Sequence, residues 1–599
     1  MYTEERTVIQ QAPKTKTPDQ NYGLVLGGGG SKGCYHVGVW QAMNEEGIHF
    51  DAISGTSIGA LVGIFYTTDA LDLITDFVFS MQPGNIASDL PILPMTLKEK
   101  VKGTKTILNF IIRYFDSKMD ITPLRTHFRM MFDYEAFKNS PIRYACMSYN
   151  DTKKEPHPFF KGEITAENAE DIVMASAACY PAFPKVVIEG EEYVDGMYAD
   201  NVPIELLKTI LPNADWTVVV DLHDPGEVAP PALTPDMFYI QPLLQPGNPL
   251  DFSTEHAEAL YSQGYLETKK YLGKYAGYLY TFPGEDQPLM DVVEDYIGRQ
   301  ITQMKVVLPK IDNLPGHLFR QALGYIPPAL PNGRQDHYYF GQMIEALALL
   351  VKINPIALRD YRQFLEELKE KLDHLTILKR NPEEFLLVNL FSNAKREEIP
   401  LQMYRLLKNN NGRLPEKFES FKDRFPASYT LAVIRYCLDL LMEALNPSQP
   451  DHQADEAKNL DLAGQAEEET KANSALAKDE AVQSESKGSI TAQSAAQDFE
   501  KAEDEQQAEQ AAGIQKPSKG PYETAPSWPA LKLSKPSTPP SRLLNDNAAK
   551  AKLPFHDNLP PIPSASFQEM PIGAVCIIEE ARSSSEEALL NEQPEKKGV

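Results

Sequence analysis

The chain has 599 residues, which is too long for a single hydrophobic core and indicates more than one folded unit. Its 84 acidic and 58 basic residues give a formal net charge of −26, and the lack of a long basic run argues against a nucleic-acid partner. The five cysteines are scattered and lack ligand spacing, which argues against a disulfide framework or a bound metal.

The N-terminal segment 1–20 is polar and lacks the apolar stretch of a signal peptide, and we expect it to be disordered. No apolar run in the sequence approaches the length needed to span a bilayer. We therefore expect a cytoplasmic protein. Peripheral contact with a membrane and export without a signal peptide both stay open.

A glycine-rich loop is the first informative feature in chain order. An apolar strand is predicted at 22–26, the loop follows at 27–33, and an amphipathic helix is predicted at 35–46. Backbone N–H groups on such a loop can point inward because no side chains obstruct them. The sequence thus predicts an oxyanion hole made by the amides of Gly28, Gly29 and Gly30.

The same loop has alternative interpretations. Gly28, Gly30 and Gly33 have the spacing of the dinucleotide fingerprint, and Asp51 stands near the distance expected for a ribose ligand. In that fold the second strand would end at the acid, whereas here the strand continues into a serine-containing turn. A P-loop needs a hydroxyl directly after Gly-Lys, but Lys32 precedes Gly33. A flexible turn without a binding role is the remaining alternative.

A serine turn follows about twenty residues later. A strand predicted at 50–54 and a helix predicted at 58–66 place Ser57 at a strand-turn-helix corner of the Gly-x-Ser-x-Gly type. Gly55 and Gly59 leave room for a strained serine backbone, and the helix start favours a developing negative charge beside the hydroxyl. The corner predicts a nucleophilic serine. The alternative is a glycine-rich turn with a capping serine.

An insert at about 80–140 separates this corner from the next motif. Apolar residues crowd 107–115 and basic residues flank them, which is typical of a helix that lies in a membrane interface or caps an apolar pocket. A helix packed in the core is the alternative interpretation. Another strand is predicted at 142–149.

The candidate base is an aspartate at the end of a short strand. Asp195 follows a hairpin pattern at 186–190 and precedes Gly196, so its carboxylate can face a crevice without a bulky neighbour. The alternative is an Asx turn, because Asp-Gly is a common turn dipeptide. Two histidines are competing bases: His223, after a strand predicted at 216–222, and His36, in the helix after the glycine loop.

Together these three segments resemble the patatin-like phospholipase family, which has the glycine loop, Gly-x-Ser-x-Gly and Asp-Gly in this order. The segments Ala175–Ala178 and Asp200–Pro203 on either side of Asp195 resemble the family as well, and the resemblance covers about 20–285. It implies a Ser-Asp dyad without a cofactor, acting on phospholipids or lysophospholipids, with neutral acylglycerols and thioesters left open. The residues that it carries over are Ser57 as nucleophile, Asp195 as base and then acid, the amides of Gly28, Gly29 and Gly30 as oxyanion donors, Lys32 where the family has Arg or Lys, and the motif glycines Gly33, Gly55, Gly59 and Gly196.

The fold class predicted for 21–285 is a three-layer α/β unit with a mostly parallel central sheet, built from the strands above and the helices between them. The resemblance implies the same fold. Helical spacing alone marks 286–446, which we interpret as a separate α-helical domain for binding, regulation or support. Its predicted helices are 340–353, 355–375, 382–390 and 428–444.

The remaining segment, 447–599, is acidic and then proline-rich, and we expect it to be disordered. A protein partner could bind through this tail or through the helical domain. A competing function class is therefore a non-enzymatic interaction protein that keeps the fold, although the intact serine, aspartate and glycine motifs argue against it.

Overall fold

The computed structural model describes residues 12–88, 90, 119–375, 382 and 398–445. All of them fall within the first of the two units into which the chain divides, Met1–Glu469 and Thr470–Val599. The apolar stretch at 107–115, nearly all of the helix predicted at 382–390, and the tail lie outside the described residues.

Eight strands of the described part of the chain form one mixed sheet. The strands are β1 (Tyr22–Leu26), β2 (Ala52–Thr56), β3 (Arg143–Asn150), β4 (Glu155–Phe160), β5 (Val186–Ile188), β6 (Glu191–Asp195), β7 (Trp216–Val220) and β8 (Met237–Ile240). Their order is β5-β6-β3-β2-β1-β7-β8, and β4 pairs with β3 off this path. The five strands β3, β2, β1, β7 and β8 run parallel, whereas β4, β5 and β6 pair antiparallel.

Helices cover both faces of the sheet, so its central strands are buried on both sides and have nearly continuous apolar sequences. Leu24 of β1 lies in the larger apolar cluster, whereas the next residue, Val25, packs in a smaller cluster with Leu207. The helices of this part are α1 (Gly33–Glu45), α2 (Ile58–Thr67), α3 (Leu71–Phe79), α4 (Pro83–Ile86), α5 (Thr122–Met131), α6 (Tyr134–Asn139), α7 (Ala169–Ser176), α8 (Ile204–Ile210) and α9 (Thr254–Tyr271). The predicted α/β fold class is confirmed.

Only helices and short connecting strands follow α9 among the described residues. They are β9 (Tyr275–Ala276), β10 (Phe282–Pro283), α10 (Gln287–Gln303), α11 (Leu314–Leu323), α12 (Tyr339–Leu350), α13 (Tyr361–His374), α14 (Glu398–Asn409), α15 (Phe421–Arg424) and α16 (Pro426–Leu445). Their apolar side chains belong to the same cluster as those of α1 and α2. The buried Glu345 of α12 accepts hydrogen bonds from the backbone amides of Tyr278 (2.9 Å) and Leu279 (2.7 Å), just beyond α9. The domain boundaries named above stay predictions.

Candidate active site

Strand register brings Ser57 and Asp195 together. The last residue of β2, Thr56, pairs with Met147 of β3, and the next residue of β3, Ser148, pairs with Asp195 at the end of β6. The ends of β2 and β6 therefore meet beside neighbouring residues of β3. The Ser57 hydroxyl donates a hydrogen bond of 2.7 Å to Oδ2 of Asp195 across a separation of 138 residues.

The turn that carries Ser57 has the backbone of a strained elbow. Ser57 has φ 55° and ψ −123°, a conformation that L-residues rarely adopt, and α2 begins at the next residue. A Cβ at Gly59 would lie 2.1 Å from the carbonyl oxygen of Leu26, and one at Gly55 would lie 2.4 Å from that of Gly59. Only glycine fits at these two positions, because any side chain would collide with backbone.

Asp195 is buried, with 1% of its surface exposed. Its Oδ1 accepts a hydrogen bond of 2.9 Å from the backbone N–H of Met197, so the Asx turn expected as the alternative coexists with the contact to Ser57. Burial raises the pKa of Asp195 to about 7, although the hydrogen bonds from Met197 and Ser57 oppose the shift. A carboxyl group with this pKa can exchange a proton near neutral pH.

Side chains from other elements hold the elbow in place. Ser176, the last residue of α7, accepts a hydrogen bond of 3.0 Å from the Ser57 backbone N–H and donates one of 2.6 Å to the carbonyl of Met147. The Thr56 hydroxyl donates to the carbonyl of Asp200 at 2.7 Å. Sequence reasoning gave Ser176 and Asp200 no role. The only sequence signal for them was their place in the two segments beside Asp195 that resemble the family.

The glycine loop lies against the elbow. A Cβ built on Gly28 would come within 3.2 Å of Ser57 Cβ. The Gly28 N–H donates to the carbonyl of Asn201 at 3.0 Å, so this amide is already engaged. Gly29 and Gly30 have no acceptor for their backbone N–H groups among the described residues. Of the three amides predicted to form an oxyanion hole, those of Gly29 and Gly30 are thus without an acceptor in the described part of the chain, and the oxyanion hole itself stays a prediction.

The motif residues around the loop have structural partners. Lys32 is buried, and its Nζ donates to Asp224 at 2.7 Å and to the carbonyl of Leu222 at 3.3 Å. This arrangement suits a role in anchoring the loop rather than in meeting a lipid phosphate. A Cβ at Gly33 would collide with Ile58, and one at Gly196 would lie 2.2 Å from the Met147 carbonyl oxygen.

Among the described residues, Asp51 and the two candidate histidines form no hydrogen bond with Ser57. Asp51, the acid of the dinucleotide interpretation, forms an ion pair with Lys16 and accepts the backbone N–H of Tyr22. His36 is buried beside the backbone of Val220, and neither of its ring nitrogens makes a well-formed hydrogen bond among the described residues. Burial lowers the pKa of His36 to about 3. His223 lies beside Asp221 and Asn201, with ring nitrogens at 2.6 Å and 3.3 Å from these side chains.

An apolar pocket opens beside the elbow and the glycine loop. It is lined by Gly30, Ser31, Gly33, Cys34, Val37, Ile58, Leu61, Val62, Phe65, Ile74, Phe77, Val78, Met81, Ile86, Leu124, Phe128, Met131 and Phe252. Its empty space is about 580 Å³, part of which is open to solvent. The walls come mainly from α1, α2, α3 and α5. A pocket with this lining suits an aliphatic chain.

No group of three or more His, Cys, Asp or Glu side chains that could hold a metal ion occurs in the part of the chain that the structure describes. Within the same ranges, none of the helices combines the length and the apolar character that crossing a bilayer requires.

Residues 24–208 match the family model described as patatin-like phospholipase. Lysophospholipase NTE1 of Mycosarcoma maydis is 30% identical over 212 residues, which is 35% of this chain and 10% of the relative. The patatin-like phospholipase domain-containing protein ZK370.4 of Caenorhabditis elegans is 28% identical over 189 residues, which is 31% of this chain and 13% of the relative.

The crystal structure of VipD from Legionella pneumophila aligns with a TM-score of 0.24 and 14% identity, covering 74% of this chain and 95% of that chain. The chain thus matches only a small part, 10–13%, of the length of the two curated relatives. The family match at 24–208 includes the glycine loop, the serine elbow and Asp195. Over residues 24–208 this chain is therefore similar to the patatin-like phospholipases.

Proposed function

We propose that this protein hydrolyses carboxylic esters of lipids through a catalytic dyad of Ser57 and Asp195. The observation that carries the proposal is the hydrogen bond of 2.7 Å from the Ser57 hydroxyl to the buried Asp195 carboxylate. A serine hydroxyl is a weak nucleophile until a base removes its proton. Asp195 is in position to remove this proton. Of the two histidines considered as bases, His223 bonds to Asp221, and His36 makes no well-formed hydrogen bond among the described residues.

The proposed reaction has two stages. In the first, Ser57 Oγ attacks the ester carbonyl carbon while its proton passes to Asp195, and the tetrahedral oxyanion then collapses as Asp195 returns the proton to the leaving alkoxide. In the second, a water molecule gives a proton to Asp195 and attacks the acyl-enzyme. The fatty acid is released when the proton returns from Asp195 to Ser57 Oγ, which regenerates the starting state of the dyad.

Stabilisation of the oxyanion is assigned to the amides of Gly29 and Gly30. Their N–H groups lack acceptors among the described residues, and the neighbouring Gly28 packs against Ser57. Oriented backbone donors stabilise a developing oxyanion without reorganising during the reaction. The start of α2, one residue after Ser57, adds the partial positive charge of a helix N-terminus.

The apolar pocket supports a substrate with an aliphatic acyl chain. Its wall includes Ile58, the residue after the nucleophile, and Gly30 of the glycine loop, so the pocket opens where the ester carbonyl would lie. A long acyl chain gains free energy of transfer from water for each buried methylene, about 0.8 kcal/mol. Phospholipids and lysophospholipids are the proposed substrates, in keeping with the names of the two curated relatives. Contact with a membrane surface would deliver them.

The proposal can be tested by incubating the full chain with a mixed lipid extract and identifying the released fatty acids. Labelling by a fluorophosphonate probe, run in parallel, reports whether the serine is nucleophilic. Ser57→Ala should abolish both signals, whereas Ser80→Ala, at an exposed serine outside the site, should leave both intact. Labelling and release that survive Ser57→Ala would remove the basis of the proposal. Absence of both signals in the unaltered protein would favour the interaction-protein alternative.

A further inference from the structure

A series of polar contacts runs from the end of β7 to the glycine loop. Asp221 follows β7, and its Oδ1 lies 2.6 Å from Nδ1 of His223. The other ring nitrogen of His223, Nε2, lies 3.3 Å from Nδ2 of Asn201. That same Nδ2 lies 3.5 Å from the carbonyl oxygen of Gly28, the glycine that packs against Ser57. Two side chains thus connect Asp221 to the loop beside the nucleophile.

The hydrogen-bonding chemistry of these groups fixes their protonation. A carbonyl oxygen only accepts, so the Asn201 atom facing Gly28 O must be the Nδ2 donor. The second hydrogen on Nδ2 then points to His223 Nε2, which must accept it and therefore carries no proton. The ring proton sits on Nδ1 and is donated to Asp221. The arrangement requires neutral His223 in a single tautomer.

The backbone of Asn201 also holds the preceding peptide group, Gly27–Gly28. Its carbonyl accepts the Gly28 N–H at 3.0 Å, and a Cβ at Gly28 would lie 2.4 Å from Asn201 Oδ1. In a trans peptide the C=O of one residue and the N–H of the next point in opposite directions. Fixing the Gly28 carbonyl toward Asn201 therefore fixes the direction of the Gly29 N–H, one of the two proposed oxyanion donors.

We propose that His223 and Asn201 are positioning residues that orient the Gly28–Gly29 peptide for catalysis, and that protonation of His223 releases this peptide. This inference rests on the proposed function and adds a pH-dependent control to the same site. A proton on Nε2 converts that atom from acceptor to donor, so it opposes the Asn201 N–H. The amide must then turn away from Nε2, and the Gly28 carbonyl loses its side-chain donor.

The groups facing His223 favour its protonation on balance. The hydrogen bond with Asp221 is the largest influence and raises the pKa of His223, burial opposes it, and the negative charge of Glu227 raises it further. Lys32 acts in the opposite direction but is itself paired with Asp224. Lowering the pH therefore protonates both Asp195 and His223, whose pKa lies above its ordinary value, and each protonation should remove activity.

The decisive variant is Asp221→Asn, which keeps an acceptor for Nδ1–H and removes the charge that favours protonated His223. Asp195 is still protonated at low pH in this variant, so its kcat/KM for fatty-acid release, measured from about pH 5 to 9, should keep an acid limb, but one that is less steep than in the unaltered protein. A purely structural role for Asp221 would instead lower kcat/KM equally at every pH. His157→Gln, at a half-buried histidine that packs edge-on against Phe159, is the matched control and should leave the profile unchanged.

Asn201→Asp tests the donor itself, because it keeps the side-chain shape but has no N–H for the Gly28 carbonyl. It should lower kcat by about 10²-fold while KM stays within about threefold, as expected for a donor oriented toward the transition state. A fall in kcat of less than threefold would overturn the proposal, and so would an acid limb with the same midpoint and slope in Asp221→Asn and in the unaltered protein.

The tautomer of His223 can be read without any turnover. In protein with ¹⁵N-labelled histidine, with the signal assigned by His223→Gln, Nδ1 should be protonated and Nε2 unprotonated at about pH 9. Protonated Nε2 under these conditions would contradict the proposed contacts from Asp221 through His223 and Asn201 to Gly28, even if the enzyme were active. Failure of the proposed function would give a different result, namely no Ser57-dependent hydrolysis or labelling at any pH. The tautomer of His223 would still test its contact with Asn201.

Discussion

Two buried aspartates at the same edge of the sheet have opposite electrostatic surroundings. Asp195 ends β6 and receives hydrogen bonds from the Ser57 hydroxyl and the Met197 amide, both uncharged donors. Burial therefore prevails and raises the pKa of Asp195 to about 7. Burial also acts on Asp221, but hydrogen bonds from His223 and Tyr239 outweigh it and lower the pKa of this carboxyl.

The comparison teaches that the partner, rather than burial alone, decides which carboxylate can act as a base. An aspartate that accepts a hydrogen bond from a histidine ring stays ionised and holds its neighbours in place, whereas one whose donors are a hydroxyl and a backbone amide can take up and return a proton near neutral pH. In the proposal, Asp195 performs the chemistry and Asp221 orients His223. An Asp–His pair is thus present in this site but does not lie against the serine.

The largest expected effect is the loss of kcat/KM on substitution, which should differ between Asp195 and Asp221. Ser57→Ala and Asp195→Asn should each lower kcat/KM for fatty-acid release by on the order of 10³-fold or more, because nucleophile and base act as a unit. At pH values where His223 is neutral, Asp221→Asn should lower it by less than about tenfold. Equal losses from the two asparagine variants would contradict the division of roles, provided that both variants keep native circular dichroism.

The pH dependence of activity is the next largest effect. The carboxyl group of Asp195 must be ionised to accept the serine proton, and burial raises its pKa to about 7. The value of kcat/KM should therefore rise with pH through about 7 and fall at least tenfold for each pH unit well below it. A profile that stays flat from about pH 5 to 8 would show that another group, or none, serves as the base.

Asp195→Asn and Asp221→Asn should change thermal stability in opposite directions. The pKa of Asp195 is raised in the folded protein, so the folded state is less stable when this carboxyl is ionised. The loss of stability develops as the pH rises from the pKa of the unfolded chain through about 7. The pKa of Asp221 is lowered, so its ionised form contributes stability above the unfolded value. At pH 8, Asp195→Asn should raise Tm and Asp221→Asn should lower it, each by roughly 2–5 °C.

Thermal melting at pH 8 and again at about pH 5 checks the signs of these changes. The gain from Asp195→Asn should shrink at the lower pH, because the native carboxyl is then protonated already. A gain that is independent of pH would point to packing rather than charge.

The smallest expected effect concerns chain length. Val62 of α2 lines the apolar pocket, and Val62→Phe would fill part of it. Release of a long acyl chain of about sixteen carbons should slow by about tenfold in kcat/KM, and that of a six-carbon chain by less than about threefold. Val39→Phe is the matched control, because Val39 is equally buried in α1 but does not line the pocket. An equal change in the preference for sixteen-carbon over six-carbon chains in the two variants would exclude this pocket as the acyl site.

Much of the α/β architecture could be predicted from the sequence, because its central strands are short apolar runs bounded by glycine or polar residues. The strands expected at 22–26 and 142–149 match β1 and β3 within one residue. The helix expected from 355 begins only at Tyr361, where the Asp360 side chain accepts the Gln363 N–H at 2.9 Å and caps it. Local capping chemistry decided that boundary, and apolar spacing alone does not reveal it.

The candidate site was less accessible to sequence reasoning. Glycine spacing and the serine corner depend on local backbone geometry, so they can be recognised in a few residues. The contacts of Ser176 and Asn201 depend on strand register and on pairs more than a hundred residues apart, as in the bond of 3.0 Å between Ser57 N and Ser176 Oγ. The engagement of the Gly28 amide by Asn201 has the same origin. Such pairings are set by the assembled sheet rather than by any local pattern.

The most direct test of the dyad is the rate at which a fluorophosphonate modifies Ser57 in the unaltered protein and in Asp195→Asn, followed as a function of pH. This reaction needs the nucleophile and its base but neither the lipid surface nor product release. The account predicts that the rate in the unaltered protein rises with pH through about 7, and that Asp195→Asn is at least about 10²-fold slower and lacks this rise. Equal rates in the two proteins, with the same pH dependence, would contradict it.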